Sequence, residues 1–224
     1  MITRTDEIFA AVHKAKVIAD VGCDHGLIAE KILKNNKAEK VIFTDISKKC
    51  LKKAENLLKD FAETGMAVPY CADGLTGINE HVDEVVIAGM GGEEIIKILS
   101  ECADRLNVER IVLQPMKNSK EVREFLIKNH FAVGLDYTFY SDKKFYDLIT
   151  ATRLPSDITD FYTADEYEFG RQNLKIKETG FVKKIETDIV SVKNWLKSDN
   201  LSETAKAKLE NRLKKLESVL TDRF

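Results

Sequence analysis

The stretch from Val17 to Gly26 constrains the fold of this chain more than any other part of the sequence. It reads Val-Ile-Ala-Asp-Val-Gly-Cys-Asp-His-Gly and continues into Leu-Ile-Ala-Glu-Lys-Ile-Leu, whose apolar residues recur at helical spacing. An apolar run that ends in glycines just before such a segment predicts a buried strand that turns tightly into a helix. Glycine lets a ligand approach the main chain closely, and the start of a helix offers unpaired N–H groups. The sequence therefore predicts a ligand site at this turn.

The spacing of the glycines in this turn separates two classes of nucleotide-binding protein. The dinucleotide fingerprint is Gly-x-Gly-x-x-Gly, whereas this turn carries Gly22 and Gly26 with Asp24 between them. This spacing disfavours a nicotinamide-dependent dehydrogenase. An acid, here Asp20, followed by these glycines at the end of a first strand is similar to motif I of class I S-adenosylmethionine (SAM) methyltransferases, with Asp24 in place of the middle glycine. A plain strand–helix connection without a ligand is the alternative.

Acidic residues also follow the next two strands. Lys40 to Asp45 is an apolar run that ends in an acid, about 20 residues after the glycine turn, where mononucleotide-binding units place an acid on the ribose hydroxyls. Asp45 could instead cap a helix that begins at Ser47. Asp73 and Gly74 follow a short third strand, and Asp73 is predicted to lie near the adenine amino group if the cofactor is SAM. A simple turn is the alternative there.

A second glycine-rich turn ends the segment at 83–92, which reads Asp-Glu-Val-Val-Ile-Ala-Gly-Met-Gly-Gly. This apolar run again leads into a predicted helix, so the backbone of Gly89, Met90 and Gly91 is predicted to line a cleft. Methyltransferases that act on exocyclic amines of bases usually carry Asp/Asn-Pro-Pro-aromatic at this strand end, and this sequence lacks that motif. The sequence therefore disfavours an amino-group methylase of that type.

The order of the predicted elements indicates the fold class. Five predicted strands alternate with helices, the fifth ending at Gln114-Pro115, and a β-hairpin follows over 131–153. This order predicts an α/β fold, a doubly wound, Rossmann-like sheet of the class I SAM methyltransferase kind with an antiparallel C-terminal edge. Such sheets bind ligands beyond the carboxyl ends of their strands, where the Asp20, Asp45 and Gly89 segments all lie. Three separate motifs therefore converge on one cleft.

The predicted domain boundary lies after residue 153. Residues 1–153 are predicted to form the SAM-binding domain, and 154–224 a small helical domain in which apolar residues recur at helical spacing around 181–196 and 205–220. That pattern predicts a coiled-coil-like helical hairpin, preceded by a short helix near 163–175. Two basic faces could contact phosphates, although a solvated face is an alternative, as is dimerisation through the apolar stripe. These faces comprise Arg171 with Lys175, and Lys208 with Arg212 and Lys215.

Composition excludes several other classes of protein. The formal charge of −2 lacks the basic excess typical of nucleic-acid-binding domains, which counts against an RNA substrate unless charge is segregated into patches. The four cysteines are scattered without metal-ligand spacing, so we expect neither a metal site nor disulfides. No stretch approaches the roughly 18 apolar residues that a membrane span requires, and the N-terminus lacks a signal core. We expect a cytoplasmic protein that does not bind membranes.

Four motifs together resemble those of the TrmK family. They are Asp-Val-Gly-Cys-Asp-His-Gly, Asp-Gly-Leu, Ala-Gly-Met-Gly-Gly and Leu-Gln-Pro, and a helical hairpin follows them. Arg4 also lies at the distance before motif I where this family has an arginine. The sequence departs from the family at Asp45, where Glu is frequent, at Gly26, where Ala is common, and at Met116, where Asn is usual.

The resemblance implies a tRNA (adenine(22)-N1)-methyltransferase that uses SAM and modifies the D-arm region of tRNA, as a monomer or weak homodimer. Asp24 is the leading catalytic candidate, with a structural cap of the next helix as its alternative, and His25 and Gln114 are candidates for contacting the base. Two other interpretations stay open: a SAM-dependent enzyme for another substrate, and a non-catalytic nucleotide-binding module. The residues predicted to bind the cofactor are Arg4, Asp20, Gly22, Gly26, Asp45, Ile46, Asp73, Gly74, Gly89, Met90 and Gly91.

Overall fold

Seven strands and ten helices make up the part of the chain that the structure, a computed structural model, describes: residues 2–102, 107–198 and 200–221. The strands are β1 Ala15–Val21, β2 Ala38–Asp45, β3 Ala67–Cys71, β4 Glu84–Met90, β5 Arg110–Pro115, β6 Phe131–Ser141 and β7 Lys144–Arg153. The helices are α1 Arg4–Ala11, α2 Leu27–Lys34, α3 Lys48–Leu57, α4 Lys59–Glu63, α5 Gly92–Cys102, α6 Ser119–Lys128, α7 Ala164–Phe169, α8 Arg171–Ile176, α9 Thr179–Trp195 and α10 Glu203–Thr221.

All seven strands belong to one sheet, in the order β3-β2-β1-β4-β5-β7-β6. Strands β1 to β5 are parallel, whereas β7 is antiparallel to both β5 and β6. The predicted doubly wound sheet with a reversed edge is thereby confirmed. Because β6 runs in the same direction as β5, the β6–β7 turn lies at the edge of the sheet where the parallel strands end. The hairpin projects past β5, since β5–β7 pairing ends at Leu113 with Ile149 while β6–β7 pairing continues to Ser141 with Lys144.

The sheet is covered by apolar layers on both faces. Ile18 of β1 packs with α1, α2 and α3, whereas its neighbour Ala19 packs on the other face with α5 and α6. This alternation is the two-residue period of a strand whose two faces are both buried. The arrangement leaves the carboxyl edge of the sheet as the place where loops meet.

Three helix boundaries differ from the sequence prediction. The pattern over 5–13 predicts a helix capped by Thr5, but α1 begins one residue earlier because Thr3 forms a capping box with Asp6. A single helix is predicted over 47–64, but the backbone turns out of helical geometry at the fully buried Leu58 and separates α3 from α4. The short helix predicted near 163–175 is broken at Gly170, whose φ of 89° suits glycine.

Helices α7 to α10 follow the sheet in sequence and contain a third apolar cluster. Ile185 and Val192 of α9 pack in it with Leu216 and Val219 of α10, as the predicted helical hairpin requires. The domain boundary predicted at residue 153 stays a prediction.

A buried ion pair connects these helices to the sheet. Arg123 of α6 lies 2.9 Å from the carboxylate of Asp136 on β6, and both side chains are almost fully buried. The same carboxylate accepts hydrogen bonds from the Tyr162 hydroxyl at 3.1 Å and from the backbone N–H of Arg171 at 3.0 Å. One carboxylate therefore joins α6, β6 and the start of α8.

Candidate active site

A cleft of about 370 Å³ opens at the carboxyl edge of the sheet, where the ends of β1, β2, β3 and β4 meet. It brings together eight of the eleven residues predicted for the cofactor, and with them the catalytic candidate Asp24. The lining residues are Arg4, Gly22, Asp24, Thr44, Asp45, Ile46, Ala72, Asp73, Gly74, Ala88, Gly89, Met90, Glu94 and Ile98. A smaller cavity of about 100 Å³ adjoins this cleft and shares Arg4, Gly22, Asp24 and Ala88 with it.

The turn after β1 owes its shape to three left-handed residues. Gly22, Asp24 and Gly26 have φ values of 68°, 48° and 74°. A Cβ atom at Gly22 would meet the terminal methyl group of Met90, a flexible side chain in the second glycine-rich segment. The left-handed φ is what favours glycine at position 22, and the missing side chain leaves the backbone open to the cleft.

Asp45 connects this turn to the helix that follows β2. One of its carboxylate oxygens accepts a hydrogen bond from the backbone N–H of Asp24 at 3.1 Å, and the other from that of Ser47 at 2.8 Å. The helix itself is capped by the Ser47 hydroxyl, which accepts from Cys50 N. Each Asp45 oxygen retains a free lone pair that can accept from a ligand hydroxyl. Asp45 therefore orders the turn and can still bind a ribose.

Asp24, which lines the cleft, forms a hydrogen bond with the neighbouring His25. The Asp24 carboxylate lies 2.8 Å from His25 Nδ1, and the His25 Nε2 atom lies 3.0 Å from Lys53 Nζ. Because a lysine ammonium group only donates, Nε2 accepts and Nδ1 carries the proton that is donated to Asp24. The hydrogen bond from His25 lowers the pKa of the Asp24 carboxyl, which is therefore ionised at neutral pH. Helix α2 begins after Gly26, and its start has no side-chain cap, so the structure does not show Asp24 as its cap.

Arg4 reaches the cleft from α1 and is held there by Gln114. The Arg4 Nε–H group donates to Gln114 Oε1, and the Gln114 amide donates to Pro115 O at 2.9 Å. Gln114 is fully buried, so it lies behind Arg4 rather than at the open surface of the cleft. The Arg4 guanidinium group also lies 5.6 Å from the ring centroid of Tyr146. The contact of Gln114 with a base stays a prediction, while its contact with Arg4 is direct.

Three residues predicted for the cofactor lie outside the larger cleft. Asp20 is 2% exposed and accepts a hydrogen bond from the backbone N–H of Ala29 in α2, and burial raises the pKa of Asp20 to about 7. A Cβ atom at Gly26 would lie 2.9 Å from the Cβ atom of Ala54, so this glycine allows α2 to approach α3. Gly91 faces the side chain of Lys117. Their assignment to the cofactor stays a prediction.

Sequence reasoning missed several residues that line the cleft. Thr44, which precedes Asp45, is buried and donates its hydroxyl hydrogen to the carbonyl of Gly74 at 2.8 Å. Glu94 lies in the first turn of α5, just after the second glycine turn, and that position is the signal that could have found it. Asp73 was predicted, but its ion pair with Lys97, at 2.8 Å, joins residues 24 apart and has no local signal.

Within residues 2–102, 107–198 and 200–221, no group of three or more metal-binding side chains is placed to hold a metal ion. Over the same ranges, the helices lack the combination of length and apolar character that crossing a membrane demands.

The strand order, the two glycine turns and the acids after β1, β2 and β3 define a class I SAM-dependent methyltransferase. A family model described as TrmK, tRNA (adenine(22)-N(1))-methyltransferase, matches residues 18–221. The chain belongs to the TrmK family. This membership confirms the predicted family, the fold, the methyl-transfer activity on tRNA and SAM as the cofactor.

Comparisons with individual proteins agree with this assignment. A Mycoplasma pneumoniae protein, provisionally named a tRNA methyltransferase, is 31% identical over 157 residues, which cover 70% of this chain and 72% of that protein. The Bacillus subtilis tRNA (adenine(22)-N(1))-methyltransferase is 29% identical over 150 residues, 66% of this chain and 63% of the relative. The structure of Mycoplasma capricolum TrmK, solved with S-adenosylhomocysteine, has a TM-score of 0.85 at 22% identity and covers 97% and 96% of the two chains. This last likeness shows the shared fold.

Proposed function

We propose that this chain transfers the methyl group of SAM to N1 of adenine 22 in tRNA, in the cytoplasm, where tRNA is found. The observation that carries the proposal is the convergence of Asp45, Asp73 and the two glycine turns on one cleft, in a chain that belongs to the TrmK family. The residues of the cleft have to hold a nucleoside donor on one side and receive a base on the other.

The residues of the cleft fit the donor. Asp45 has lone pairs available for ribose hydroxyls, and the exposed backbone at Gly22 and Gly89 allows close approach where a side chain would intrude. Asp73 can accept a hydrogen bond from an adenine amino group. SAM supplies an electrophilic methyl group on a sulfonium sulfur when it is bound. Four carboxylates, those of Asp24, Asp45, Asp73 and Glu94, line the cleft. Arg4 and the Lys97 partner of Asp73 offset part of this charge, and the remaining negative charge favours a cationic ligand.

We assign the acceptor side to Asp24 and to Arg4, although the sequence predicts Arg4 for the cofactor. N1 of adenine is engaged in pairing or stacking inside a folded RNA, so the base has to be extruded before it can react. Methylation at N1 makes the ring cationic, and the ionised Asp24 supplies a negative charge beside the cleft. His25 fixes the orientation of that carboxylate through Nδ1, and Gln114 fixes that of Arg4. No covalent intermediate is needed, because positioning donor and acceptor in line is sufficient for methyl transfer.

The test is methylation of a defined RNA. Unmodified tRNA transcripts carrying adenine 22 are incubated with the enzyme and methyl-labelled SAM, then digested for nucleoside analysis. We expect 1-methyladenosine at position 22 and no product from a matched transcript with guanine at 22. Label in protein or a small molecule would support the alternative SAM-dependent enzyme, and binding of SAM without turnover would support a nucleotide-binding module.

A further inference from the structure

RNA that delivers a base to the cleft has to approach from the side that the cofactor leaves open; this step rests on the proposed function. The residues assigned to adenosine, Asp45 and Asp73, follow β2 and β3, on one side of β1 in the sheet. On the other side of β1 lie β4, β5 and the β6–β7 hairpin, with Arg4 bound to Gln114 of β5. The approaching RNA therefore crosses the ends of β5, β7 and β6, where the hairpin projects.

The basic faces predicted on the C-terminal helices are largely neutralised by their own neighbours. Arg212 and Lys215 both pair with Glu168, and Lys215 also lies 2.8 Å from Asp165. A phosphate could replace these partners only by breaking formed ion pairs. On the second predicted face, the positive charge of Arg171 is compensated by Asp160 at 3.0 Å and by Glu166 at 2.9 Å.

A groove of about 710 Å³ lies where the projecting hairpin meets the start of α9. Tyr140 of β6 lines it, 43% exposed, and Lys183 of α9 places its ammonium group 3.9 Å from the centroid of the Tyr140 ring. Glu7 also lines it, three residues after Arg4 on α1, so one helix borders both the groove and the acceptor side of the cleft. Its lining residues are Glu7, Leu135, Tyr137, Thr138, Phe139, Tyr140, Glu178, Thr179, Gly180 and Lys183.

The chemistry of this groove matches an unpaired nucleotide better than a duplex backbone. The Lys183 ammonium group lies over the partly exposed Tyr140 ring, and the centroid of the Phe145 ring lies 4.9 Å from that of Tyr140. A base therefore gains the Tyr140 face when the lysine turns from the ring toward the phosphate, which supplies a stacking surface and a cation together. The two acids of the groove are already hydrogen-bonded, Glu7 to the Tyr137 hydroxyl at 2.9 Å and Glu178 to the Gln172 amide at 3.1 Å. Each carboxylate still has lone pairs that can accept from the amino group of a base.

We propose that this groove binds an unpaired nucleotide of the substrate tRNA, with the base on the Tyr140 ring and the phosphate at Lys183, while the target adenine occupies the cleft. Lys183 makes its ring contact without an ion-pair partner among the residues that the structure describes, so it can turn toward a phosphate. Lys143 and Lys144 are exposed at the tip of the hairpin and add two further positive charges on the side of the sheet where Lys183 lies.

The test compares paired variants for their affinity toward full-length unmodified tRNA and toward SAM. Removing one aromatic stacking surface corresponds to roughly 5- to 150-fold in affinity, so Tyr140→Ala is expected to weaken tRNA binding at least about fivefold. Tyr140→Phe keeps the ring and is expected to bind like the wild type. Lys183→Ala is expected to weaken binding and to reduce the salt slope by about one phosphate contact. Lys14→Ala, which removes an exposed lysine before β1 at the opposite edge of the sheet, is the matched control. It is expected to change neither the tRNA affinity nor the salt slope, and SAM affinity is expected to stay constant in all variants.

Unchanged tRNA affinity in folded Tyr140→Ala and Lys183→Ala would overturn the proposal, as would a loss in Lys14→Ala as large as that in Lys183→Ala. If Tyr140→Ala does not fold, the comparison of the two lysine variants decides alone. Methylation of adenine 22 by the wild type is measured on the same preparations. Its absence would refute the proposed function, whereas its presence with unaffected groove variants would refute only the groove.

Discussion

Asp45 and Asp136 are both carboxylates that join separate parts of the chain, but their remaining capacity to accept hydrogen bonds differs. Asp136 is fully buried, and its oxygens are occupied by Arg123, Tyr162 and Arg171 N. Asp45 is half-buried at the cleft, and each of its oxygens has one backbone N–H partner. A carboxylate with all its partners supplied by the protein stabilises the fold, whereas one with free lone pairs at an opening can recognise a ligand.

The largest effect is expected from breaking the buried pair. Asp136→Ala leaves the buried Arg123 guanidinium with Asp147, at 3.8 Å, as its remaining counter-charge, and we expect the free energy of unfolding to fall by about 3 kcal/mol, measured by urea denaturation. Asp160→Ala, which removes a partly exposed partner of Arg171, is the control and is expected to cost about 1 kcal/mol or less. Equal losses in the two variants would contradict the assignment of Asp136 as the structural carboxylate.

The next effect concerns turnover. Asp24→Ala removes the ionised carboxylate beside the cleft, and we expect kcat to fall by about a hundredfold or more, the scale of a lost transition-state contact. SAM affinity, measured by calorimetry, is expected to change little. His25→Ala keeps the carboxylate but releases its orientation, so a smaller loss is expected. Full methylation of a tRNA transcript by Asp24→Ala would exclude the proposed role.

Asp45→Asn tests whether Asp45 contributes to ligand binding more than to the stability of the fold. The amide keeps the shape and one acceptor but loses the charge, and hydrogen bonds to charged groups contribute about 1.5–3 kcal/mol. We expect SAM affinity to fall about tenfold while the free energy of unfolding changes by less than about 1 kcal/mol. A variant that loses stability but retains SAM affinity would place Asp45 with Asp136 among the structural carboxylates.

The smallest effect is a pH dependence of stability at Asp20. Burial raises the pKa of Asp20 to about 7, above its ordinary value, so the folded state retains this proton to higher pH than the unfolded state. Its contribution to stability is therefore complete below about pH 4 and is lost as the pH rises to 7. Asp20→Asn is expected to flatten that part of the curve by about 1 kcal/mol or more, as measured by urea denaturation at pH 4.5, 6 and 8. An unchanged slope would contradict the raised pKa of Asp20. Burial also raises the pKa of Glu84 to about 7, but Glu84 is present in both proteins, so its contribution cancels in the comparison.

Much of the fold and the cofactor side of the cleft was predictable because their signals are local. Apolar runs that end in glycines or acids fix the strand ends of β1, β2 and β4, and the topology of parallel strands then brings those ends together. The burial of the Asp20 side chain is predictable as well. Residues 18 and 20 of a strand point to the same face of the sheet, and Ile18 packs against the helices that cover that face.

The remaining features depend on contacts that no local pattern reveals. The breaks at Leu58 and Gly170 arise from packing and from one backbone conformation inside otherwise helical segments. The partners of Arg212 and Lys215 lie more than forty residues away in the chain, so the sequence showed a basic face where the structure shows compensated charges.

The contact between Arg4 and Gln114 spans 110 positions of the chain. The ribose end of the cofactor side, by contrast, draws Gly22 and Asp45 from one continuous strand–helix–strand unit, β1 to β2. The part of the cleft that holds the ribose can thus form early during synthesis, while the side that receives the base is completed only after β5 has joined α1. A chain in which β5 has not yet joined the sheet would therefore lack the complete site for methyl transfer.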